Sequence, residues 1–595
     1  MRSPHDPNIL YTTGNFVFRS TDEGNSWDII SPDLTRNDVS TLEASGGPIT
    51  KDNTGAEYYG TIFAFAESPL QRGLFWAGSD DGLVHISRDN GERWENVTPQ
   101  ELPEWALISI IEPSPHDPAA AYVAATRYKL DDFQPYLFKT SDYGKTWTKI
   151  TSGIGANDFT RVVREDPQRR GLLYAGTETG AHVSFDDGDH WQALQLNLPV
   201  VPVHDLAVKD SDLVAATHGR SFWILDDVTP LRQVSEQLQS ADIYLFKPRS
   251  AIRFITVWGF ARTPTSGKFY PMLGGKMVTA RREQKPGGEP VSRNLDAGQN
   301  PPYGVIVTYY LKQKPEGEVK LTFLDARGNE IKTFSSETGQ EQSPNSKEAL
   351  AASSKEKDKG KEKKEPRVSK EAGATRFVWD MRYPEARKID GYVAADSALV
   401  GPAALPGMYQ VQLTVGDQAY SEPFEIYKDP RVMATQADLE AQFELRLKIR
   451  DKLSEMHDAI NMLRNIRQQI ESWDQLTGER ADHEALVSAG ESLKEKLTAI
   501  EDELVQSKAK SRQDTLNFPA KLNAKLAALG AVIASADAAP TRQAYELFDD
   551  LATRIDVQLR RLQEVIDTDV AAFNSLMREL GVPALIPVTT FVDNR

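Results

Sequence analysis

The sequence predicts a multidomain chain in which all-β propeller blades precede a β-sandwich and a C-terminal antiparallel helical bundle. Three observations predict this: a pattern that recurs four times before residue 192, alternating apolar segments over 235–432, and helical periodicity from residue 433 onward. At 595 residues the chain is too long for one hydrophobic core, because single cores stop growing at about 250–300 residues.

The recurring pattern is Ser/Thr-x-Asp-x-Gly-x-x-Trp, at 20–27, 87–94, 140–147 and 184–191. The Asp can accept hydrogen bonds from backbone N–H groups ahead of it, the Gly allows a positive φ, and the Trp buries a large apolar area. Each copy follows an alternating strand, so we expect a hairpin turn between the third and fourth strands of a blade. The residues expected to be structural, facing away from any ligand site, are Asp22, Gly24, Trp27, Asp89, Gly91, Trp94, Asp142, Gly144, Trp147, Asp186, Gly188 and Trp191.

The repeats predict an incomplete ring of about four to five blades over residues 1–232. Segments 61–99, 107–153 and 158–197 each contain four short strands, and a last unit at 203–227 lacks the Asp pattern. The first unit has no opening strand, and its SPHDP peptide at 3–7 recurs at 114–118, where an opening strand ends. We therefore expect the chain to begin inside a blade, as the C-terminal part of a larger propeller whose N-terminal half is a partner.

Behind the blades, residues 235–432 alternate as half-buried strands of an immunoglobulin-like sandwich. The Lys/Glu-rich stretch 340–373 interrupts this region, and we expect it to be disordered because it has few large apolar residues. Residues 433–581 are expected to form three long helices and a short one at 519–534, with Thr435 and Thr541 as N-caps. The last residues, 582–595, are expected to be an extended tail.

Composition excludes several classes of function. A net charge of −17 argues against nucleic acid or an anionic membrane as the main partner. The absence of Cys excludes disulfides and thiolate chemistry, and nine scattered His without ligand spacing predict no metal site. We expect no cofactor. The chain has no apolar run of the roughly 18 residues that a membrane span needs, and no signal peptide at its start.

Four long phrases, together with the repeats, carry a family resemblance; they are SGGPITKDNTGAEYYGTIFA (45–64), LPEWALISIIEPSPHDP (102–118), VVPVHDLAVK (200–209) and ATHGRSFWILDD (216–227). The four repeats resemble the Asp-box, or BNR, repeat of sialidases, xyloglucanases and sortilin-like receptors. The chain resembles the C-terminal half of bacterial BNR-repeat "glycosyl hydrolase" proteins, whose propeller is similar to the N-terminal domain of sortilin. That resemblance implies that the full-length protein is exported and works outside the cytoplasm, in the periplasm or secreted.

Two functions follow from these observations. The favoured one is a sortilin-like binding or scaffold module for a peptide or glycan, with ligand contacts from Tyr58, Tyr59, Trp105, Arg127, Tyr128, His218 and Trp223. The alternative is a glycoside hydrolase with its site at the propeller channel. Hydrolysis needs two facing carboxylates, or a Tyr nucleophile beside an arginine cluster. Its weak candidates, which form no local signature, are Asp52, Glu57, Asp205 and Arg220. His218 and Arg220 either face the channel or cap the final blade.

Overall fold

The computed structural model describes residues 1–41, 46, 49–50, 59–255, 267–269, 272–273, 276–277, 280–284, 290–294, 300–337, 340–341, 365–391, 399–477, 483–509, 514, 516–579 and 585. The chain divides into two compact units, Met1–Gln239 and Ser240–Arg595. The predicted sandwich and helices both lie in the second of these units.

The first unit consists of five antiparallel sheets in chain order. Sheet one contains β1 (Leu10–Thr13), β2 (Val17–Ser20) and β3 (Asp28–Ile29), and sheet two contains β4 (Ile62–Glu67), β5 (Phe75–Ser79), β6 (Val84–Ser87) and β7 (Glu95–Asn96). Sheet three contains β8 (Leu107–Pro113), β9 (Ala121–Arg127), β10 (Asp132–Thr140) and β11 (Thr148–Lys149). Sheet four contains β12 (Thr160–Glu165), β13 (Leu173–Thr177), β14 (Ala181–Ser184) and β15 (Gln192–Ala193), and sheet five contains β16 (Val203–Lys209), β17 (Asp212–Thr217) and β18 (Phe222–Leu225).

These sheets have a propeller-like arrangement. Within each sheet the strands pair in chain order, and the inner strands β4, β8, β12 and β16 pack side by side. Apolar side chains fill the space between consecutive sheets: Trp76 of sheet two shares a core with Ile108 of sheet three, and Tyr174 of sheet four shares one with Val203 of sheet five. Two short 3₁₀ turns (Val39–Thr41, Tyr128–Leu130) and helices α1 (Thr229–Arg232) and α2 (Glu236–Ser240) complete the regular structure up to residue 240.

The two SPHDP peptides occupy equivalent places. The His5 ring lies 2.8 Å from the carbonyl oxygen of Ser68 in sheet two, and the His116 ring lies 2.8 Å from that of Asp166 in sheet four. Each peptide thus joins its sheet to the next one. Sheet one has three strands, and its first strand, β1, follows SPHDP as the second strand of sheet three, β9, does. β1 therefore corresponds to β9, and the described strands of sheet one include no equivalent of the inner strand β8.

The second unit begins with two facing sheets. One has the strand order β19-β26-β31 and the other β20-β33-β32-β27-β28, and both contribute to a core that includes Val307, Phe323 and Trp379. The strands of this region are β19 (Ile243–Leu245), β20 (Ala251–Arg253), β21 (Gly267–Phe269), β22 (Met272–Leu273), β23 (Lys276–Met277), β24 (Ala280–Gln284), β25 (Pro290–Asn294), β26 (Val305–Leu311), β27 (Val319–Leu324), β28 (Glu330–Ser335), β29 (Gln340–Glu341), β30 (Pro366–Arg367), β31 (Gly373–Trp379), β32 (Gly407–Val415) and β33 (Gln418–Lys428).

The range predicted to be disordered, 340–373, extends too far at both ends. Residues 340–341 and 366–367 form a short parallel pair, and Val368 is buried in the sandwich core. Val368 is an apolar residue beyond the Lys/Glu-rich run, so its burial outweighs the polar composition of its neighbours. Residues 342–364 lie outside the described residues.

The helices of the second unit begin after residue 435. They are α3 (Gln436–Thr477), α4 (His483–Leu504), α5 (Leu522–Ile533), α6 (Arg542–Val565) and α7 (Ala571–Glu579), with a π-helical turn (Ile566–Val570) before α7. Both predicted N-caps are present: the Thr435 hydroxyl accepts from the Asp438 N–H at 3.2 Å, and the Thr541 hydroxyl accepts from Ala544 at 3.3 Å. Of the predicted tail 582–595, only Leu585 is described. None of the described helices is both long and apolar enough to span a bilayer.

Candidate functional site

The Asp-box carboxylates are engaged inside their own turns. In the third box, Asp142 Oδ1 accepts from the Thr146 N–H and the Thr140 hydroxyl, each at 2.9 Å, and Oδ2 accepts from the Thr146 hydroxyl at 2.7 Å. These bonds, chiefly the one from the Thr146 N–H, hold the pKa of Asp142 below its usual value. The corresponding backbone bonds to Asp22, Asp89 and Asp186 are each 2.9 Å long.

The tryptophans of three boxes join neighbouring sheets. Their indole N–H groups donate to a carbonyl at the end of the preceding sheet, in the pairs Trp94 to Ile30 (3.0 Å), Trp147 to Val97 (2.7 Å) and Trp191 to Ile150 (2.8 Å). Gly188 lies so close to the preceding sheet that a Cβ there would approach Ile150 Cδ1 to 2.6 Å. In the first box, by contrast, Trp27 donates to its own Gly24 carbonyl at 3.1 Å and is 40% exposed.

The boxes and the predicted ligand residues lie at opposite ends of the strands. Each box connects the third strand of a four-stranded sheet to the fourth, or β2 to β3 in sheet one. The opposite end is formed by the turns between the second and third strands and by the segments that enter the inner strands. We call this end the mouth; among its residues are Arg36, Tyr59, Trp105, Tyr128, Phe159, Glu178, His204 and His218.

Each inner strand of sheets two to five carries a β-bulge near the mouth. The pairing of β4 with β5 shifts between Ile62 and Ala64, and the same shift occurs in the other three sheets. The bulged residues are Phe63, Ser109, Arg161 and His204. A bulge re-aims one side chain and interrupts the strand edge. The sequence analysis missed these positions as a set, because a bulge is defined by the partner strand's register.

A first aromatic group at the mouth surrounds Trp105. The Arg36 guanidinium lies 5.2 Å from the centre of the Trp105 ring, and Tyr59 meets that ring edge-on at 5.8 Å. Arg36 is held in place by its Nε, which donates to the Asp81 carbonyl at 2.7 Å, and by an ion pair of 3.4 Å with Glu104. We call this group the Trp105 platform.

A second group, the Tyr128 platform, lies between sheets three and four. Tyr128 stacks on Phe159 with ring centres 5.0 Å apart and planes 16° apart, and Phe133 packs against Phe159 at 6.1 Å. The Arg161 guanidinium lies 4.9 Å from the Phe159 ring centre and 5.3 Å from that of Tyr128. Its Nε and Nη2 both donate to Glu178 Oε2, at 2.8 and 2.6 Å. Aromatic and charged groups therefore fix each other's orientation.

Other predicted ligand residues border these platforms. Arg127 links them, because its Nε donates to the Glu104 carbonyl at 3.0 Å and its Nη1 pairs with Asp132 at 3.4 Å. On sheet five, His204 and His218 meet with ring centres 4.8 Å apart. Burial, with Arg161 and His218 nearby, lowers the pKa of His204.

Of the remaining candidates, two lie on sheet five and three fall outside the described residues. Trp223 is half-buried beside the core of sheets four and five and donates to the Arg220 carbonyl at 3.0 Å, and Arg220 is exposed in the turn between β17 and β18. The structure thus brings Tyr59, Trp105, Arg127, Tyr128 and His218 to one end of the sheets, with Arg220. Asp52, Glu57 and Tyr58 fall outside the described residues.

The channel along the inner strands contains a cavity of about 470 Å³. Arg164 binds two carboxylates there, Glu112 Oε2 and Asp205 Oδ1, each at 2.7 Å. Burial raises the pKa of Glu112 despite the adjacent guanidinium. Burial alone would lower the pKa of Arg164, but Glu112 and Asp205 outweigh it and raise that pKa. Both acids bind the same guanidinium, so each of these two carboxylates has a charged partner.

The carboxylates beside the aromatic platforms are also occupied. Glu104, Asp132 and Glu178 each pair with an arginine, and Asp132 additionally accepts from the Tyr136 hydroxyl at 2.7 Å. Within the ranges that the structure describes, no cluster of three or more His, Cys, Asp or Glu side chains could hold a metal ion. The mouth therefore offers aromatic surfaces and paired charges.

Comparison with known proteins yields distant likenesses. No protein-family model matches the chain, and no curated protein matches it. Among solved structures, an ancestral GH74 enzyme aligns over 56% of this chain and 37% of its own chain, with 17% identity and a TM-score of 0.28. The GH74 xyloglucanase from Xanthomonas campestris aligns over 70% of this chain and 57% of its own chain, with 15% identity and a TM-score of 0.30. YCF48 bound to D1 peptide aligns with 28% of this chain and 51% of its own (20% identity, TM-score 0.23). The chain thus spans less than two thirds of each, and likenesses at this level assign neither family nor activity.

Proposed function

We propose that the first unit is a binding module that takes an extended ligand, a peptide or a glycan, across its mouth. The observation that carries this proposal is the presence of two aromatic platforms at the mouth, around Trp105 before β8 and around Tyr128 after β9. Large, rigid aromatic side chains supply contact area at a low cost in conformational entropy. The Asp boxes serve the scaffold in this proposal, because their carboxylates are engaged in turns at the other end.

Hydrolysis is the weaker function for this site. In the described part of the chain, the mouth carboxylates beside the aromatic rings are paired with arginine, and the channel carboxylates Glu112 and Asp205 share Arg164. A general acid and a nucleophile would need carboxylates that face each other across the substrate. Carboxylates that are paired with arginine can instead accept hydrogen bonds from a ligand that is bound and released without reaction. The proposal includes export of the full-length protein, as the resemblance to BNR-repeat proteins implies.

The test is binding by the full chain to a panel of soluble polysaccharides and short peptides, followed by titration of each ligand found. We expect Trp105→Ala and Tyr128→Ala to weaken binding at least about tenfold, because each removes a platform. Tyr427→Ala is the matched control, since Tyr427 is 47% exposed in the second unit. Binding that is equal in all three variants would contradict the proposal. Release of reducing sugar from any bound polysaccharide would instead support the hydrolase.

A further inference from the structure

We propose that the ligand of the mouth is an uncharged oligosaccharide, whose sugar rings lie on the Trp105 and Tyr128 platforms. This inference rests on the proposed binding function and adds the chemical class of the ligand. Three observations carry it: the neutralised charges at the platforms, the fixed orientation of the aromatic rings, and the interrupted strand edges beneath them.

The charge balance disfavours an anionic ligand. Among the described residues, the three arginines at the platforms each have a carboxylate partner: Arg36 pairs with Glu104, Arg127 with Asp132 and Arg161 with Glu178. An anionic ligand would have to displace a carboxylate that is already in place, and would approach a chain with a net charge of −17.

The aromatic rings are held for stacking. Tyr128 is fixed by its parallel contact with Phe159, and Trp105 is fixed between Arg36 and the edge of Tyr59. A pyranose ring has an apolar C–H face that packs on an aromatic ring, and its hydroxyl groups both donate and accept hydrogen bonds. Guanidinium and carboxylate groups side by side, as in Arg161 and Glu178, offer a donor and an acceptor within reach of one hydroxyl-rich ligand.

The inner strands disfavour a peptide bound by strand addition. A peptide that adds to a sheet needs an uninterrupted edge of N–H and C=O groups. The bulges at Phe63, Ser109, Arg161 and His204 interrupt that edge at the same level in all four sheets. Bulges are a known device for preventing pairing at an exposed edge. Side-chain recognition of rings therefore remains as the main source of affinity.

The experiment is affinity electrophoresis of the full chain in gels that contain one polymer each. The neutral probes are β-glucan, xylan, mannan and galactan; the anionic probes are polygalacturonate and alginate; short uncharged peptides are titrated separately. We expect retardation by at least one neutral polymer, weakened at least about tenfold in Tyr128→Ala and Tyr128→Leu, and unchanged in Tyr427→Ala. The Leu variant retains apolar bulk but lacks a planar ring, and thermal unfolding of each variant verifies its fold.

The possible outcomes distinguish a failure of this inference from a failure of the proposed binding function on which it rests. If only anionic polymers or peptides bind, and Tyr128→Ala abolishes that binding, the proposed binding function is supported. The assignment of the ligand as an uncharged oligosaccharide is then wrong. If no probe binds, or if binding survives both Trp105→Ala and Tyr128→Ala, the proposed function fails and the inference fails with it.

Discussion

At the scale of single residues, the same side-chain type has two different environments in the four Asp boxes. Trp191 is 4% exposed and its indole N–H reaches the Ile150 carbonyl of the preceding sheet. Trp27 is 40% exposed and bonds within its own turn. The hydrogen bond between sheets is what distinguishes a stabilising tryptophan from a surface one, and the sequence pattern is identical for both.

This difference predicts unequal effects of the same substitution. Trp191→Phe removes the bond to Ile150 and leaves a buried carbonyl without its donor, so the free energy of unfolding should fall by about 1–3 kcal/mol. Trp27→Phe is the matched control and should change it by no more than about 0.5 kcal/mol. Urea unfolding of the full chain measures both. Equal losses in the two variants would contradict the role given to the contact between sheets.

The box carboxylates predict a dependence of stability on pH. Hydrogen bonds from Ser26 and Ser20 lower the pKa of Asp22 to about 2 in the folded chain, from an ordinary value of 3.8. The folded state therefore binds fewer protons than the unfolded state, and the stabilisation is present above about pH 4 and is lost as the pH falls toward about 2. Asp142, whose pKa is also lowered, contributes in the same direction.

The variant Asp142→Asn tests this pH dependence. It should be less stable than the parent at pH 7, and the difference should shrink as the pH falls through the acid range, because the parent loses the interaction by protonation. Asp242→Asn, at a pair with Lys312 that is mostly exposed, is the control and should leave the pH profile unchanged. A difference between Asp142→Asn and the parent that stays constant down to pH 2 would show that the carboxylate's charge plays no part.

At the scale of elements, one face of sheet one is exposed, although the equivalent face of sheets two, three and four is covered by the preceding sheet. In sheets two, three and four, the box Gly and Trp pack against the end of the preceding sheet, whereas Gly24 of sheet one meets only its own Trp27. Ile29, on the outer strand of sheet one, is 61% exposed. The face carries the same groups as the covered ones, so it should accept a four-stranded sheet in the same register.

A fusion protein tests that face. A second copy of residues 59–113 is joined directly before Ser3, so that the junction falls in the shared SPHDP peptide and supplies sheet one with an inner strand. The copied Val97 carbonyl is then expected to accept from Trp27, as Val97 now accepts from Trp147. Amide hydrogen exchange in residues 10–29 should slow, and the midpoint of thermal unfolding should rise.

The control for this fusion carries Trp76→Asp in the copied segment alone. Trp76 is fully buried in the core of sheets two and three, so the copied sheet should not fold in this control. Exchange in residues 10–29 should then match the unfused chain. Equal exchange in the fusion and its control would show that the face of sheet one does not accept a further sheet.

At the scale of the whole molecule, the second unit is held together by a polar contact between its sandwich and its helices. Arg253 of β20 pairs with Asp537 at 2.6 Å, and both side chains are nearly buried, 8% and 6% exposed. Gln442 of α3 accepts from the same guanidinium at 3.3 Å and donates to the Ile533 carbonyl at 2.8 Å. This buried network is one contact that joins the predicted sandwich to the bundle.

Removing one partner of this pair leaves the other charge buried. Asp537→Ala should therefore destabilise the second unit by about 3–5 kcal/mol. Asp242→Ala breaks the mostly exposed pair with Lys312 and should cost no more than about 1 kcal/mol. Differential scanning calorimetry of the full chain compares the two. A loss in Asp537→Ala as small as in Asp242→Ala would mean that the buried pair does not hold sandwich and helices together.

The sequence by itself determined the local structure of this protein. The Asp, Gly and Trp of each box specify a hairpin turn through bonds that span a few residues, and Thr435 and Thr541 cap helices through bonds to residues three positions away. The alternation of strands and the helical period are likewise local, so they could be derived without any partner. The composition around Val368 predicted disorder, but Val368 is buried, because its burial depends on contacts with residues distant in the sequence.

Only the tertiary structure decided the candidate site. Tyr59 and Trp105, or Phe159 and Tyr128, are far apart in the sequence, and they meet because consecutive sheets pack side by side. The bulge that aims Arg161 toward Glu178 is a property of two paired strands, and no single strand shows it. The same packing pairs Asp205 of β16 with Arg164 of β12. The physical reason is that contact, burial and charge pairing depend on distances in space, which repeat spacing along the chain does not supply.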